Sequence, residues 1–197
     1  MRDEGLIRAI IGVTGASGSI YGWRLLEKLR ARADVEVHLI ISRSGERTAH
    51  LELGKSAADF KALAHCSYQP EDIGCRLASG SFMTMGMAIA PCSIHTMSAI
   101  AHGISSNLIV RAADVVLKER RKLILMVRES PFHAGHLRSM TALAEMGAIV
   151  APPVPGFYHH PESVAEIVEY SVDRTLDLMG LPSEDADRWD GPRRSAE

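Results

Sequence analysis

The stretch LIRAIIGVTGASG, residues 6–18, decides the fold class of this chain. It joins a short apolar run, Leu6–Val13, to a glycine-rich turn, Thr14–Gly18. A continuous apolar run of this length is typical of a strand buried on both faces of a parallel sheet. Ile20–Ala33 then shows the leucine spacing of a helix, and Val35–Ile41 is a second apolar run. Strand, helix and strand in this order predict a βαβ unit.

The same alternation continues along the chain. The further predicted strands are Met85–Ala90, Leu123–Val127 and Ala148–Ala151, and the further predicted helices are Ser44–Leu53, Ala57–Ala64, Ser93–Ala101, Leu108–Arg121, His133–Met146 and Glu162–Met179. The rest of residues 54–84 shows no regular pattern. We expect one α/β domain over residues 1–181, a single doubly wound (Rossmann-like or flavodoxin-like) parallel sheet flanked by helices, and then a polar tail over 182–197.

Composition excludes several classes of protein. The chain has 197 residues, 46% of them hydrophobic, and its 22 basic and 24 acidic side chains give a net charge of −2. This balance predicts neither nucleic-acid binding nor a membrane-surface role. The three cysteines form no C-x-x-C pair, which argues against a disulfide framework and a zinc site. With no signal-peptide pattern and no apolar run near the ~20 residues of a membrane span, we expect a cytoplasmic protein.

Ligands of open parallel sheets bind beyond the carboxyl ends of the strands. Four segments leave those ends here: Thr14–Gly18, Ser42–Gly45, Pro91–Thr96 and Arg128–Pro131. The first offers glycines and a helix start, which favour anions, although a plain tight connection would look the same. The hydroxyls of Ser42, Ser93 and Thr96 suit a phosphate, and ordinary helix N-caps fit them equally well.

The charged and histidine pairs are less specific. Arg111 and Lys118 are seven residues apart and share a helix face. On spacing alone, an ordinary solvent-exposed face is the favoured interpretation. Arg128-Glu129 directly follows a strand and can be an acid/base group or a surface pair. His133 with His136, and His159 with His160, lack a third ligand in a recognised pattern, so we predict no metal site.

Gly12, Gly15 and Gly18 also match a G-x-x-G-x-x-G dinucleotide pattern. Dinucleotide-binding folds place an acidic residue after the second strand, where Ser42 and Arg43 stand in this chain. Arg43 would suit a 2′-phosphate, so NADP remains an alternative on this pattern alone.

Taken together, several motifs resemble those of the UbiX-type flavin prenyltransferases, also known as the small subunit of phenolic-acid decarboxylase systems. The resemblance spans about residues 6–190. The matching stretches are VTGASG (13–18), LIIS (39–42), ASGSF (78–82), APCS (90–93) with Thr96, NLIVRAADVVLKERR (107–121), VRESP (127–131) and PPVPGFY (152–158).

The resemblance implies an enzyme that transfers the five-carbon group of dimethylallyl phosphate to N5 and C6 of reduced FMN. The product would be prenylated FMN for a separate UbiD-type decarboxylase. The resemblance also implies that no metal takes part and that the protein forms a large homo-oligomer, a dodecamer in the family, with flavin sites at subunit contacts.

The resemblance assigns roles position by position. The implied FMN contacts are Gly15, Ala16, Ser17, Ser42, Ser93, Ile94, His95, Thr96 and Arg128. The implied contacts to the prenyl phosphate are Arg111, Lys118, Arg128, Tyr158 and Arg174. Ser17 and Glu129 would handle protons, Glu52 would be a second carboxylate at the site, and Lys118 would stabilise the leaving phosphate. Trp189 would belong to the tail, a candidate lid over the site.

Two other functions remain alternatives. One is a flavin-dependent decarboxylase of the cysteine type, whose P-x-M-N-x-x-M-W-like segment is missing from PPVPGFYHHP, residues 152–161. The other is a non-catalytic flavin carrier, which would not need Lys118, Glu129, Tyr158 and Arg174 together. The chain also departs from the family at His95, where the family often has a small residue or lysine.

Overall fold

A computed structural model describes residues 5–183 and 186 of the chain. It contains one six-stranded sheet in which every neighbouring pair of strands is parallel, in the order β3-β2-β1-β4-β5-β6. The strands are β1 (Ile7–Val13), β2 (Val35–Ile41), β3 (Cys66–Tyr68), β4 (Gly86–Cys92), β5 (Lys122–Val127) and β6 (Ile149–Val150). This is the strand order of the Rossmann fold, so the predicted doubly wound parallel sheet is confirmed.

Helices cover both faces of the sheet. They are α1 (Ser19–Arg30), α2 (Arg43–Leu53), α3 (Ala57–Ala62), α4 (Ile94–Ala101), α5 (Leu108–Lys118), α6 (Ala134–Glu145) and α7 (Val164–Met179), with 3-10 turns at Arg76–Ala78 and Phe157–His159. Most of them begin at a side chain that accepts a hydrogen bond from the first turn, such as Ser42 for α2 and Ser93 for α4. None of the described helices is long and apolar enough to cross a membrane.

The side chains of alternate strand residues pack into two hydrophobic cores, one on each face of the sheet. Ala9, Ile11 and Val13 of β1 face the core beneath α1 and α7, while Ile10 faces the core beneath α4 and α5. Burial on both faces explains the nearly continuous apolar runs of the central strands. Ion pairs between Lys28 of α1 and Asp173 of α7 fix these two helices side by side.

The prediction misses one strand and extends one helix too far. The segment 54–84 contains an extra strand, β3, which pairs with β2 at the edge of the sheet and is only three residues long. The helix predicted over Leu108–Arg121 ends at Lys118, because Arg120 has a φ of 54° and turns the chain. Arg121 then donates hydrogen bonds to the carbonyls of Gly80 and Phe82.

The amino-terminal ends of β1, β2 and β3 carry a polar cluster on the α5 face of the sheet. Arg8 donates to Glu36 at 2.9 Å, and the Tyr68 hydroxyl lies 3.0 Å from Nδ1 of His38. Cys66 pairs with His38 across the strands. Burial lowers the pKa of His38 well below its usual range, so the imidazole is neutral at pH 7 and its contact with Glu36 is not an ion pair.

Candidate active site

The ends of β1 and β4 meet at the point where the strand order reverses, which is where ligands bind in this fold. The buried Thr14 fastens the two ends together: its hydroxyl donates to the Pro91 carbonyl at 2.7 Å and accepts the Ser93 N–H at 2.8 Å. The predicted segments after β1, β2, β4 and β5 therefore share one edge of the sheet, here called the carboxyl edge. From sequence, Thr14 is predicted only as part of the glycine-rich turn at the site, and its bridge between the two strands is not predicted.

The turn after β1 packs directly on the start of α2. A Cβ atom at Gly15 would lie 2.5 Å from the Cβ of Ser44, so the approach requires glycine at position 15. Ser42 caps α2 by accepting the Gly45 N–H at 3.0 Å, and its hydroxyl lies 3.1 Å from that of Ser44. Ser42 is thus an N-cap of α2, and the capping leaves the hydroxyl proton available to an anion.

Ser93 caps α4 in the same way. Its hydroxyl accepts the Thr96 N–H at 3.3 Å and lies 3.2 Å from the Thr96 hydroxyl. Ile94 and His95 form the first turn of α4, where backbone N–H groups have no partner within the helix. His95 is exposed, Ile94 is half-buried and Thr96 is buried. The start of α4 therefore combines hydroxyl and N–H donors suited to a phosphate.

The start of α1 is different because the chain fills it with its own carboxylate. Gly18 precedes α1 without a side-chain cap, and Glu52 accepts the N–H groups of Gly18 at 3.0 Å and Ser19 at 2.8 Å. Burial by itself would raise the pKa of Glu52, but these bonds and one from the Ser17 hydroxyl outweigh it and lower that pKa. Ser17 thus has Glu52 as its partner, with Ala16 buried beside it.

Arg128 and Glu129 leave the end of β5 on the exposed side of the carboxyl edge. The charge of Arg128 acts on the phenol of Tyr21, whose pKa burial raises, so Arg128 lies near the first turn of α1. Among residues 5–183 and 186, no carboxylate forms an ion pair with Arg128. The carboxylate of Glu129 accepts the N–H of Ser130 at 3.0 Å. Within the described part of the chain, Arg128 has no acidic partner and the Glu129 carboxylate is exposed, so both are available to a ligand.

Tyr158 and Arg174 come together through Tyr170, a residue that sequence analysis missed. The hydroxyls of Tyr158 and Tyr170 are 2.6 Å apart, and Tyr170 and Arg174 lie one helical turn apart on α7. Tyr170 and Arg174 line a cavity of about 200 Å³, along with Ala186. Most of the predicted tail over 182–197, including Trp189, lies outside the described residues.

Arg111 and Lys118 lie elsewhere. Arg111 donates to the Ala78 carbonyl. Lys118 forms an ion pair with Glu119, and both side chains lie close to Gly80, where a Cβ atom would clash with them. Their predicted common helix face is correct. However, α5 runs back to the start of β5, so Lys118 lies at the opposite end of that strand from Arg128. The six residues of β5 span about 17 Å, and one chain alone does not unite these two cations.

Comparison with known proteins gives consistent matches over nearly the whole chain. A sequence model of the Flavoprotein family matches residues 1–176. The flavin prenyltransferase UbiX of Escherichia coli (strain K12) is 50% identical over 186 residues, 93% of this chain and 98% of that protein.

Solved structures are similar to this chain in both fold and sequence. One described as a dodecameric FMN-dependent UbiX-like decarboxylase from Escherichia coli O157:H7 has a TM-score of 0.92 at 46% identity and covers 94% of this chain and 100% of that chain. AnUbiX (PadA1) in complex with FMN and dimethylallyl pyrophosphate has a TM-score of 0.92 at 40% identity and covers 94% of this chain and 98% of that chain.

Proposed function

Since this chain belongs to the Flavoprotein family and is 50% identical to a flavin prenyltransferase over 93% of its length, we propose that it is one: it transfers a dimethylallyl group from dimethylallyl phosphate to reduced FMN. The observation that carries the proposal is the carboxyl edge itself. There the hydroxyls of Ser42 and Ser93, the start of α4 and the exposed Arg128 surround the point where β1 and β4 meet.

Different segments of this site bind different parts of FMN. The start of α4, with Ser93, Ile94, His95 and Thr96, binds the FMN phosphate, because its N–H groups and hydroxyls are not engaged by another anion. The turn Gly15-Ala16-Ser17 cannot take that phosphate, since the Glu52 carboxylate already holds the N–H groups behind it. Gly15, Ala16 and Ser17 therefore face the ring, and Arg128 lies between ring and prenyl donor.

Breaking the bond between the prenyl carbon and the phosphate oxygen leaves a poorly stabilised phosphate. Fixed cations must balance its growing negative charge. Arg128, Arg174 and Lys118, with the Tyr158 hydroxyl, supply that stabilisation without a divalent metal. New bonds join the five-carbon group to N5 and C6 as phosphate leaves. The ring loses one hydrogen, as a proton, from each of these two atoms, and the prenyl double bond takes up one proton. Glu129 with Ser17 transfers these protons, so one proton is released in all.

The site is completed by neighbouring copies of the chain. Arg111 and Lys118 stand at the opposite end of β5 from Arg128, so they join Arg128 only when contributed by another copy. The similar structure from Escherichia coli is dodecameric, which supports a homo-oligomer here. Tyr158 and Arg174, which meet through Tyr170 on α7, form a further separate part of the site.

The test is prenylation itself. Purified protein, reduced FMN and dimethylallyl phosphate are mixed without oxygen, and the flavin is analysed by mass spectrometry. We expect a flavin heavier by one five-carbon unit, and unmodified FMN with folded protein would contradict the proposal. Dimethylallyl pyrophosphate serves as a second donor. Lys118→Ala should abolish product while FMN stays bound, whereas Arg138→Ala, an exposed arginine of α6, should leave both unchanged.

Complementation tests the composite site. Lys118→Ala and Glu129→Gln, each inactive alone, are mixed, dissociated and reassembled. If the two residues come from different copies, some sites in the mixed oligomer are intact and activity returns. If both act from one chain, the mixed oligomer stays inactive.

Adding EDTA to the wild-type reaction tests whether a divalent metal takes part. We expect an unchanged initial rate of prenylation. A rate that EDTA abolishes and Mg²⁺ restores would contradict the metal-free mechanism.

We further infer that the product serves a separate UbiD-type decarboxylase in the cytoplasm. The three cysteines are free, in keeping with a reducing compartment. Protein-free filtrate from the prenylation reaction should activate an apo-decarboxylase of that type. The chain alone should release no CO₂ from phenolic acids or cysteine peptides, and such release would favour the alternative decarboxylase function.

A further inference from the structure

The polar cluster on β1, β2 and β3 contains a buried histidine nitrogen with no hydrogen-bond partner among residues 5–183 and 186. His38 is fully buried, and its Nε2 lies 3.5 Å from Oε1 of Glu36 without forming a hydrogen bond to it. On the other side of the ring, Nδ1 lies 3.0 Å from the Tyr68 hydroxyl. A buried polar atom left without a partner is costly, so the molecule either carries that cost or binds something there.

Two more ligand atoms surround the same point. The Sγ of Cys66 lies 3.8 Å from Oε1 of Glu36, and one ligand atom from each of Glu36, His38 and Cys66 lies within 4.8 Å of the other two. Cys66 stands beside His38 because the two residues are register partners in β3 and β2. Spacing along the sequence hides this group, since thirty residues separate Glu36 from Cys66.

Two of the three distances between ligand atoms match those around a tetrahedral zinc ion, and the third, from Nε2 to Sγ, is at most 4.8 Å. With the usual zinc bond lengths, a tetrahedral angle places a nitrogen and an oxygen ligand about 3.4 Å apart, and a sulfur and an oxygen ligand about 3.6 Å apart. The observed separations are 3.5 Å between Nε2 and Oε1 and 3.8 Å between Sγ and Oε1. An ion placed among the three atoms would therefore need only small side-chain movements.

From this arrangement we propose that Glu36, His38 and Cys66 bind one Zn²⁺ ion per chain, between β2 and the edge strand β3. Thiolate, imidazole and carboxylate together select zinc over the hard cations Mg²⁺ and Ca²⁺. Three protein ligands leave a fourth position for water. Glu36 and Cys66 are only partly buried, which gives the ion a path from solvent.

The surroundings orient these ligands. Arg8 binds Oε2 of Glu36, which leaves Oε1 for the ion. The Tyr68 hydroxyl at Nδ1 fixes the His38 ring so that the Nε2 lone pair faces the ion, as outer partners do in zinc sites. Arg76 stacks on Phe82, which packs on His38, and with Arg8 it adds positive charge that limits the affinity. The ion would join β2 to the short edge strand β3.

The experiment uses untagged full-length protein with its flavin, stripped of metal by chelator dialysis. Titration with Zn²⁺ against a chromophoric chelator should show one ion per chain. Co²⁺ should give the visible bands of a tetrahedral ion and the near-ultraviolet band of a cobalt–thiolate bond. Cys66→Ser should lose that thiolate band and stoichiometric Zn²⁺ binding. Tyr68→Phe should keep the band and weaken binding by about 10- to 100-fold.

Cys75→Ser is the matched control, since Cys75 is another partly buried free thiol that lies outside the group of ligands. It should bind Zn²⁺ and Co²⁺ as the wild type does. FMN binding at the carboxyl edge shows in each variant that the chain is folded. Less than one ion per chain in folded wild type, or Co²⁺ binding that survives Cys66→Ser with its thiolate band, would overturn the proposal.

Discussion

The hydroxyl of Thr14 accepts the backbone N–H of Ser93 at 2.8 Å, across 79 residues of sequence. The same hydroxyl donates to the Pro91 carbonyl, so one buried side chain joins the ends of β1 and β4. The flavin segments after these strands thus have a fixed separation before any ligand binds.

Thr14→Val should destabilise the protein and weaken FMN binding. The change removes the acceptor of the Ser93 N–H and the shorter of two bonds to the Pro91 carbonyl, which keeps the backbone N–H of residue 14 at 3.3 Å. Leaving the Ser93 N–H without its partner costs about 1–3 kcal/mol. Urea unfolding measures the free energy, and flavin fluorescence measures binding. The control is Thr141→Val, whose exposed hydroxyl bonds only to the Leu137 carbonyl within α6. Equal effects of both changes would show that the bridge has no special role.

Gly15→Ala should displace the start of α2. The new methyl group would lie 2.5 Å from the Cβ and 2.6 Å from the Oγ of Ser44, and such overpacking costs about 1–3 kcal/mol. We expect lower stability and weaker FMN binding, measured as above. Gly74→Ala is the control because a Cβ at Gly74 meets no atom within 4 Å. Adding Ser44→Gly should partly restore both quantities, and no restoration would refute the clash.

Glu52→Gln should lower the free energy of unfolding at neutral pH, and this loss should be smaller in acid. The folded state lowers the pKa of Glu52, so its ionised form stabilises the fold fully above its usual value of about 4.5. That contribution is lost as the pH falls through the lowered pKa. Because Glu52 is exposed, we expect no more than about 1 kcal/mol, and less at high salt.

Unfolding free energies of wild type and Glu52→Gln between pH 3 and 7 test this dependence. Their difference should be constant above about pH 5 and shrink below the usual carboxylate pKa. Glu145→Gln, at the exposed end of α6, should show no such profile. A difference that grows as the pH falls would contradict the assignment of Glu52 as an ionised cap of α1.

Removing residues 187–197 should slow prenylation strongly and change the affinity for FMN only slightly. Ala186 lines the cavity beside Arg174, which supports the lid over the site that the family resemblance implies. Removing only 191–197, which keeps Trp189, should have a smaller effect on product formation measured by mass spectrometry. If both truncated proteins prenylate FMN at the wild-type rate, the tail is not a lid.

The central strands could be predicted from sequence because burial on both faces leaves long apolar runs, as in β1 and β2. The edge strand β3 could not, since Cys66-Ser67-Tyr68 is short and mixed in polarity and its only strand partner is β2. The end of α5 was missed because a left-handed Arg120 leaves no sequence signal.

At the site, sequence placed Ser42 and Ser93 at the correct edge because each follows a strand directly. It could not decide between cap and anion donor, and the structure shows the caps. The cap that Glu52 forms on α1 escaped prediction, since 34 residues separate it from Gly18. Arg111 and Lys118 were grouped with Arg128 on family resemblance, although an α5 that runs antiparallel to the strands puts Lys118 at the other edge.

Glu52 also explains why a Rossmann strand order does not imply a dinucleotide here. In dinucleotide enzymes the pyrophosphate sits on the N–H groups at the start of the first helix. In this chain a tethered carboxylate already occupies those N–H groups, and a pyrophosphate arriving there would meet a like charge. Arg43, which would suit a 2′-phosphate, pairs with Glu71 instead. The chain thus holds a carboxylate at the position where dinucleotide enzymes bind the pyrophosphate.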